Sequence, residues 1–152
     1  MWKGGIKMIR SMHVGDQRSY VRKITQDEIA KFGEILGDLN SAHFDEAYAK
    51  TTIFKKPIVH GMFIGSLFSK IFGMEYPGEG TIYCSQSLKF LKPVYPDTNL
   101  KIVVTVEQIN LEKNRVILRI INWINNFINW KLPVYFHVYP LFIFGWFRAL
   151  KV

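Results

Sequence analysis

The sequence predicts an α+β domain in which an antiparallel β-sheet covers one long apolar helix. Three observations predict it. The elements run strand, helices, then consecutive strands, which is the order of an α+β chain. Residues 58–73, IVHGMFIGSLFSKIFG, are enough for a helix and are apolar on nearly every side, the pattern of a helix enclosed by other structure. From Thr81 onward, apolar residues fall mostly two apart, the period of half-buried strands.

Residues 14–24 set aromatic and β-branched residues among charges and read as a first strand. Thr25, with Glu28 three positions on, has the form of a capping box and opens a helix. That helix carries Ile29, Phe32, Ile35 and Leu36 at spacings of three and four, and Gly37 suits its end. Residues 38–44 read as a loop of short polar residues, and residues 45–51 as a second, short helix. Within the apolar run, Gly61 and Gly65 lower helix propensity but let other groups approach the backbone closely. Residues 76–80, YPGEG, signal a turn. Residues 81–90 begin the sheet, and Pro93 and Pro96 break it. Residues 100–109 alternate, with Ile102, Val104 and Val106 on one face; residues 110–114 read as a hairpin connection and 115–121 as the next strand.

At 152 residues the chain suits one domain with a real core, and 49% hydrophobic residues argue against disorder. Twenty basic and 12 acidic residues give a net charge of +8, which favours anionic partners. There is no compact Lys/Arg block and no nucleic-acid-binding motif, so no nucleic acid is expected. A polyanionic small ligand and a plain solvated basic surface both fit the charge. The single cysteine, Cys84, excludes an intrachain disulfide, reads as a small core residue and suits a reducing cytoplasm. Residues 1–12 read as a leader; they are not a secretory signal, because no apolar run follows their lysines. The histidines show no H-E-x-x-H or C-x-x-C arrangement, and no glycine loop suits a phosphate, so neither metal nor cofactor is expected.

The chemistry concentrates between Asp38 and Ser69. Asp38, Asn40 and His43 form a D-x-N-x-x-H run, and residues 58–62, IVHGM, open the apolar helix. A carboxylate and an imidazole can act as an acid/base pair that holds one water. First-turn amides have no partner within a helix and lie at the positive end of its dipole, so the N–H of Gly61 can donate to a developing oxyanion. Taken alone, the D-x-N-x-x-H run is a turn or capping cluster; with the helix in register behind it, it reads as catalytic. Asp38 is assigned to orienting and polarising the water, and His43 to the second contact and proton movement, though which of them takes the proton stays open. His60 reads as a core histidine whose hydrogen bond fixes the turn. Asn40 and Asp45 read as loop-fixing. Ser69 is no nucleophile, since no G-x-S-x-G elbow surrounds it.

The residues Gly37, Asp38, Asn40, His43 and Asp45, then Ala49 and Phe54, then Ile58, His60, Gly61 and Met62, then Ser69, resemble a known motif. It is the G-D-x-N-P-x-H-x-D, A-x-x-x-x-F, I-x-H-G-M and Ser pattern of the MaoC-like family of (R)-specific enoyl-CoA hydratases and 3-hydroxyacyl dehydratases, the hydratase-2 group. Ser41 stands where that family usually has Pro. The likeness spans roughly residues 14–116. It implies the hotdog fold, an antiparallel sheet wrapped around a long apolar central helix. It implies reversible syn hydration of trans-2-enoyl-CoA to (3R)-3-hydroxyacyl-CoA, or the reverse dehydration of hydroxyacyl thioesters, in fatty acid metabolism. The implied catalytic residues are Asp38 and His43, with the Gly61 amide as oxyanion donor and Ser69 in support; Asn40, His60 and Met62 are the implied substrate-binding residues. An acyl-CoA or acyl-carrier-protein thioester is the implied substrate, without further cofactor, metal or membrane partner, in a cytoplasmic homodimer or dimer of dimers. Lys55, Lys56, Lys89 and Lys92 are candidates for coenzyme A phosphates. A hotdog acyl-CoA thioesterase and a non-catalytic acyl-CoA-binding module are the alternatives.

Residues 122–152 differ in character from residues 1–121. No acidic residue follows Glu112, and ten of the 23 aromatic residues fall in the last 32 positions, so this segment is read separately from the hotdog domain. The apolar run 132–147 is shorter than the roughly 20 residues a membrane-spanning helix needs, and prolines interrupt it. The family's small-residue pattern for the final strands is missing. Two readings follow: a reading-frame shift in an A/T-rich gene, or a divergent hairpin that packs its aromatics on the core. Residues 134–144 are β-prone, but Pro140 would confine such a strand to an edge or bulge.

Overall fold

The computed structural model describes residues 9–124 and 127–138. Strand β1 (Gln17–Lys23) leads to helix α1 (Gln26–Leu36), the short helices α2 (Ser41–Phe44) and α3 (Glu46–Thr51), and the central helix α4 (Gly61–Lys70). A π-helical turn, Ile71–Glu75, prolongs α4. Strands β2 (Thr81–Gln86), β3 (Asn99–Asn110), β4 (Arg115–Ile124) and β5 (Phe127–Val138) complete one sheet in the order β1-β3-β4-β5-β2, with every neighbouring pair antiparallel.

Local chemistry sets the boundaries. The capping box of α1 is formed: Glu28 N–H donates to Thr25 Oγ1 at 3.3 Å, and Thr25 N–H donates to Glu28 Oε2 at 3.0 Å. Gly37 closes α1 at φ 71°, a left-handed conformation open to glycine. The hairpin between β3 and β4 turns at Asn114, φ 48°, with Lys113 N–H held by Asn110 Oδ1 at 2.8 Å. The helical turn α2 forms where a loop was expected, because Asn40 Oδ1 accepts the N–H of Ala42 at 2.9 Å and caps it.

The core lies between the helix and the sheet. Phe68, Ile71 and Phe72 pack against Ile102, Val104 and Val106 of β3 and Val116, Leu118 and Ile120 of β4. Alternation puts these strand residues on one face, and burying each large side chain stabilises the fold by roughly 1.5–3 kcal/mol. A second cluster, Ile24, Ile29, Val59, Ile64, Val94 and Leu100, joins α1 to the start of α4 and forms the floor beneath the site.

Three expectations need correction. The central helix starts at Gly61 rather than residue 58, and it is not enclosed on every side: Met62 and the following Met74 are exposed, because the sheet covers one face. Cys84 is exposed, since β2 is an edge strand among the described residues. The strand expected at residues 134–144 instead runs from Phe127 to Val138, and it is interior, between β4 and β2. Pro133 pairs with Arg119 of β4 and lies just past Val134, the last β5 residue paired with β2, so it interrupts no ladder on that side. Pro140 lies outside the described residues. Among the described residues, no helix is long and apolar enough to cross a membrane.

Candidate active site

The loop after α1 and the approach to α4 are stitched together at residues 42–43 and 58. Ile58 N–H donates to the Ala42 carbonyl at 3.0 Å. His43 Nδ1 lies 2.7 Å from the Ile58 carbonyl oxygen. A carbonyl oxygen only accepts, so Nδ1 carries a proton, and in the neutral ring the lone pair is then on Nε2. Val59 N–H donates to the Val94 carbonyl at 2.8 Å, which ties this segment to the chain entering β3.

His60 holds the other half of the site. Its ring is almost fully buried, and Nε2 donates to the backbone carbonyl of Asp38 at 3.0 Å. Burial pushes its pKa below the ordinary value; the hydrogen bond to Asp38 opposes that shift and nearby His43 adds to it. His60 stacks on His43 with centroids 3.7 Å apart, and Phe32 and Phe44 pack around it. The Asp38 carboxylate is about half exposed, with Oδ2 4.0 Å from His60 Nε2.

Asp38, His43 and His60 each offer a donor atom within 4.8 Å of the others. Each histidine already commits one ring nitrogen to a carbonyl, and the remaining nitrogen of His60 is buried. The acceptors left open are therefore the Asp38 carboxylate and His43 Nε2. They line a cleft of about 540 Å³ whose apolar walls include Phe32, Phe54, Ile58, Met62 and Phe90.

Gly61 is the first residue of α4, and its N–H has no hydrogen-bond partner among the described residues. A Cβ at Gly61 would lie 2.4 Å from Phe90 Cε1, so the absent side chain is what lets Phe90 close over the helix start. Phe90 escaped notice in the sequence because it comes from a segment remote from the motif. Gly33 did so too: a Cβ there would lie 2.7 Å from Phe44 and 3.0 Å from the Asp38 carbonyl. Its signal was a glycine in mid-helix, a position that costs about 1 kcal/mol without a packing reason.

The structure thus brings together Asp38, His43, His60, Gly61 and Met62. Two other assigned residues lie elsewhere. Asn40 caps α2 and does not line the cleft, because its side chain is engaged with its own loop. Ser69 is exposed on α4, eight residues beyond Gly61 and so about 12 Å along the helix axis, too far to join Asp38 and His43 within one chain. His60 is a support under Asp38 rather than an exposed substrate contact. Of the four lysines, Lys92 lines the cleft, and Lys55 and Lys56 line a neighbouring cavity.

Residues 12–121 match the family model described as MaoC like domain. The chain belongs to the MaoC-like family. It is 38% identical over 104 residues to the (R)-specific enoyl-CoA hydratase of Aeromonas caviae, covering 68% of this chain and 78% of that one. It is 32% identical over 108 residues to a mitochondrial 3-hydroxyacyl-(acyl-carrier-protein) dehydratase of Arabidopsis thaliana, covering 71% and 64%. Among solved structures, the (R)-hydratase from A. caviae involved in PHA biosynthesis superposes with a TM-score of 0.81 at 31% identity, over 86% of this chain and 99% of that one. The backbone likeness of this MaoC-like chain therefore runs further than the aligned sequence does. The fold is the hotdog α+β fold of these hydratases.

Proposed function

We propose that this protein is a hydro-lyase that adds water reversibly to trans-2-enoyl-CoA, giving (3R)-3-hydroxyacyl-CoA, in fatty acid metabolism. One observation carries the reading. The Asp38 carboxylate and a His43 imidazole held in its Nδ1–H tautomer line one apolar cleft beside the free N–H of Gly61. The family membership and the names of the relatives support it.

The chemistry follows from the groups present. A water donates one hydrogen to Asp38 and one to His43 Nε2. Its oxygen bonds to C3 of the enoyl thioester, the C2–C3 π pair shifts toward the thioester oxygen, and the Gly61 N–H stabilises the resulting enolate. A neutral imidazole is a stronger base than a carboxylate, so His43 takes the water proton and Asp38 faces the imidazolium that results. The enolate collapses, and His43 returns the proton to C2 on the face from which water came. No redox step occurs, and no metal or organic cofactor takes part.

A homodimer completes the proposal. Among the described residues, strands β1 and β2 lie at the two ends of the sheet, and Val21, Ile82 and Tyr83 are exposed on them, as expected of a surface that meets a second copy. Light scattering on the purified protein reads its mass directly.

The test of function uses two substrates. Crotonyl-CoA should lose its enoyl absorbance without releasing free thiol, and butyryl-CoA should remain intact. Thiol release from butyryl-CoA would make the protein a thioesterase. Binding of both esters without turnover would make it a binding module.

A further inference from the structure

The chain between β2 and β3 crosses the start of α4 before it rejoins the sheet. Strand β2 ends at Gln86, and residues 87–91 run on outside any strand. Two glycines of α4 receive this segment. A Cβ at Gly65 would lie 2.9 Å from Leu88 Cδ1, and one at Gly61 would lie 2.4 Å from Phe90 Cε1 and 2.6 Å from Phe90 Cζ. The spacing explains the fit: four residues of helix rise about 6 Å, and two residues of extended chain span about 6.6 Å. Leu88 is partly buried and packs on both core clusters. Beyond Phe90, the buried Val94 accepts the Val59 N–H at 2.8 Å. Phe90 is thus held from both sides. Yet it is 49% exposed, so its ring is a wall of the cleft and not part of the core.

In a helix each Cα–Cβ bond leans toward the N-terminus, the direction in which the first-turn N–H groups also point. A ring that fills the Cβ position of Gly61 therefore stands beside the outlet of the Gly61 N–H. We propose that Phe90 is a positioning residue for the hydration, one that keeps water off the Gly61 amide so that the amide donates to the thioester oxygen. The inference rests on the hydratase reading, in which that amide stabilises the enolate. An amide open to water gains little by exchanging water for a thioester oxygen. Beside an apolar ring the same bond forms in a site of low dielectric, where it is stronger.

The experiment reads the thioester carbonyl stretch of bound butyryl-CoA, carbon-13 labelled at that carbonyl, by difference infrared spectroscopy. Butyryl-CoA has no double bond to hydrate, so the signal is independent of turnover. The stretch should fall on binding to the wild type and to Phe90→Leu, which keeps an apolar cover. It should stay near its value in water in Phe90→Ala and in Phe90→Gln, which keeps bulk but brings a polar group. With crotonyl-CoA, kcat should fall roughly ten-fold in Phe90→Ala, part of the 10²–10³-fold that loss of an oxyanion donor costs, with KM little changed and Phe90→Leu close to wild type. A wild-type shift that survives in Phe90→Ala and Phe90→Gln would overturn the role of Phe90 and leave the hydratase reading standing. Equal loss in Phe90→Leu and Phe90→Ala would also overturn it. No shift in the wild type would remove the Gly61 donor and overturn both.

Discussion

His43 Nδ1 lies 2.7 Å from the Ile58 carbonyl oxygen, while the Ile58 N–H donates to the Ala42 carbonyl at 3.0 Å. This two-point clamp sets both the position and the tautomer of the imidazole. In its proposed role as base, an imidazole fixed in this way needs no rearrangement, and the segment that fixes it leads directly into the helix bearing the Gly61 amide. The His43 imidazole and the Gly61 amide are therefore held by one continuous piece of backbone.

If the pair acts as described, His43→Ala and Asp38→Asn should each lower kcat by roughly 10²–10⁴-fold, the range for a positioned acid or base. Circular dichroism and melting should show an intact fold, because neither side chain is part of the core. Turnover within threefold of wild type in either variant would remove that residue from the mechanism.

Gly61→Ala should destabilise the protein by roughly 1–3 kcal/mol, the usual cost of overpacking, because the new methyl meets the Phe90 ring. Adding Phe90→Ala should restore part of that loss, which a double-mutant cycle in urea would measure. Additive losses would show that Phe90 does not set the requirement for glycine.

His60 makes stability depend on pH. Burial lowers its folded pKa below the unfolded value, so the unfolded chain binds the proton more readily. The stabilising effect of a neutral His60 is fully present above the unfolded value, about 6.5. It is lost as pH falls from there through the depressed folded value. Urea midpoints measured across this window should fall with acidification in the wild type and fall less steeply in His60→Gln. An unchanged slope in the variant would mean that another group drives the acid response.

Truncation after residue 124 should abolish cooperative, soluble folding, because β5 is the only strand joined to β2 among the described residues and lies between it and β4. Loss of β5 would strip the ladder from both neighbours. Size-exclusion chromatography and thermal melting would decide the matter. A soluble truncated chain with a sharp transition would show that β5 is dispensable.

Much of this was legible in the sequence. Thr25 and Glu28 announced the start of α1, Gly37 its end, and Ile102, Val104 and Val106 the buried face of β3, because caps and alternation are local signals. Asp38, His43 and Gly61 were also legible, through a motif of fixed spacing. The His43–Ile58 bond was not, since a backbone carbonyl has no residue type to betray it. Phe90 was hidden because it reaches Gly61 from a distant segment. A strand was expected only at residues 134–144, confined to an edge or bulge, whereas the strand spans Phe127–Val138. Its interior place depends on pairing with both β4 and β2, which no local pattern reports.

The most direct test is the configuration of the product formed from crotonyl-CoA by the purified protein. Chiral chromatography of the hydrolysed 3-hydroxybutyrate should give the 3R acid, with its formation abolished in Asp38→Asn/His43→Ala. The 3S acid, or 3R acid formed equally well by that double variant, would contradict hydration by the Asp38–His43 pair.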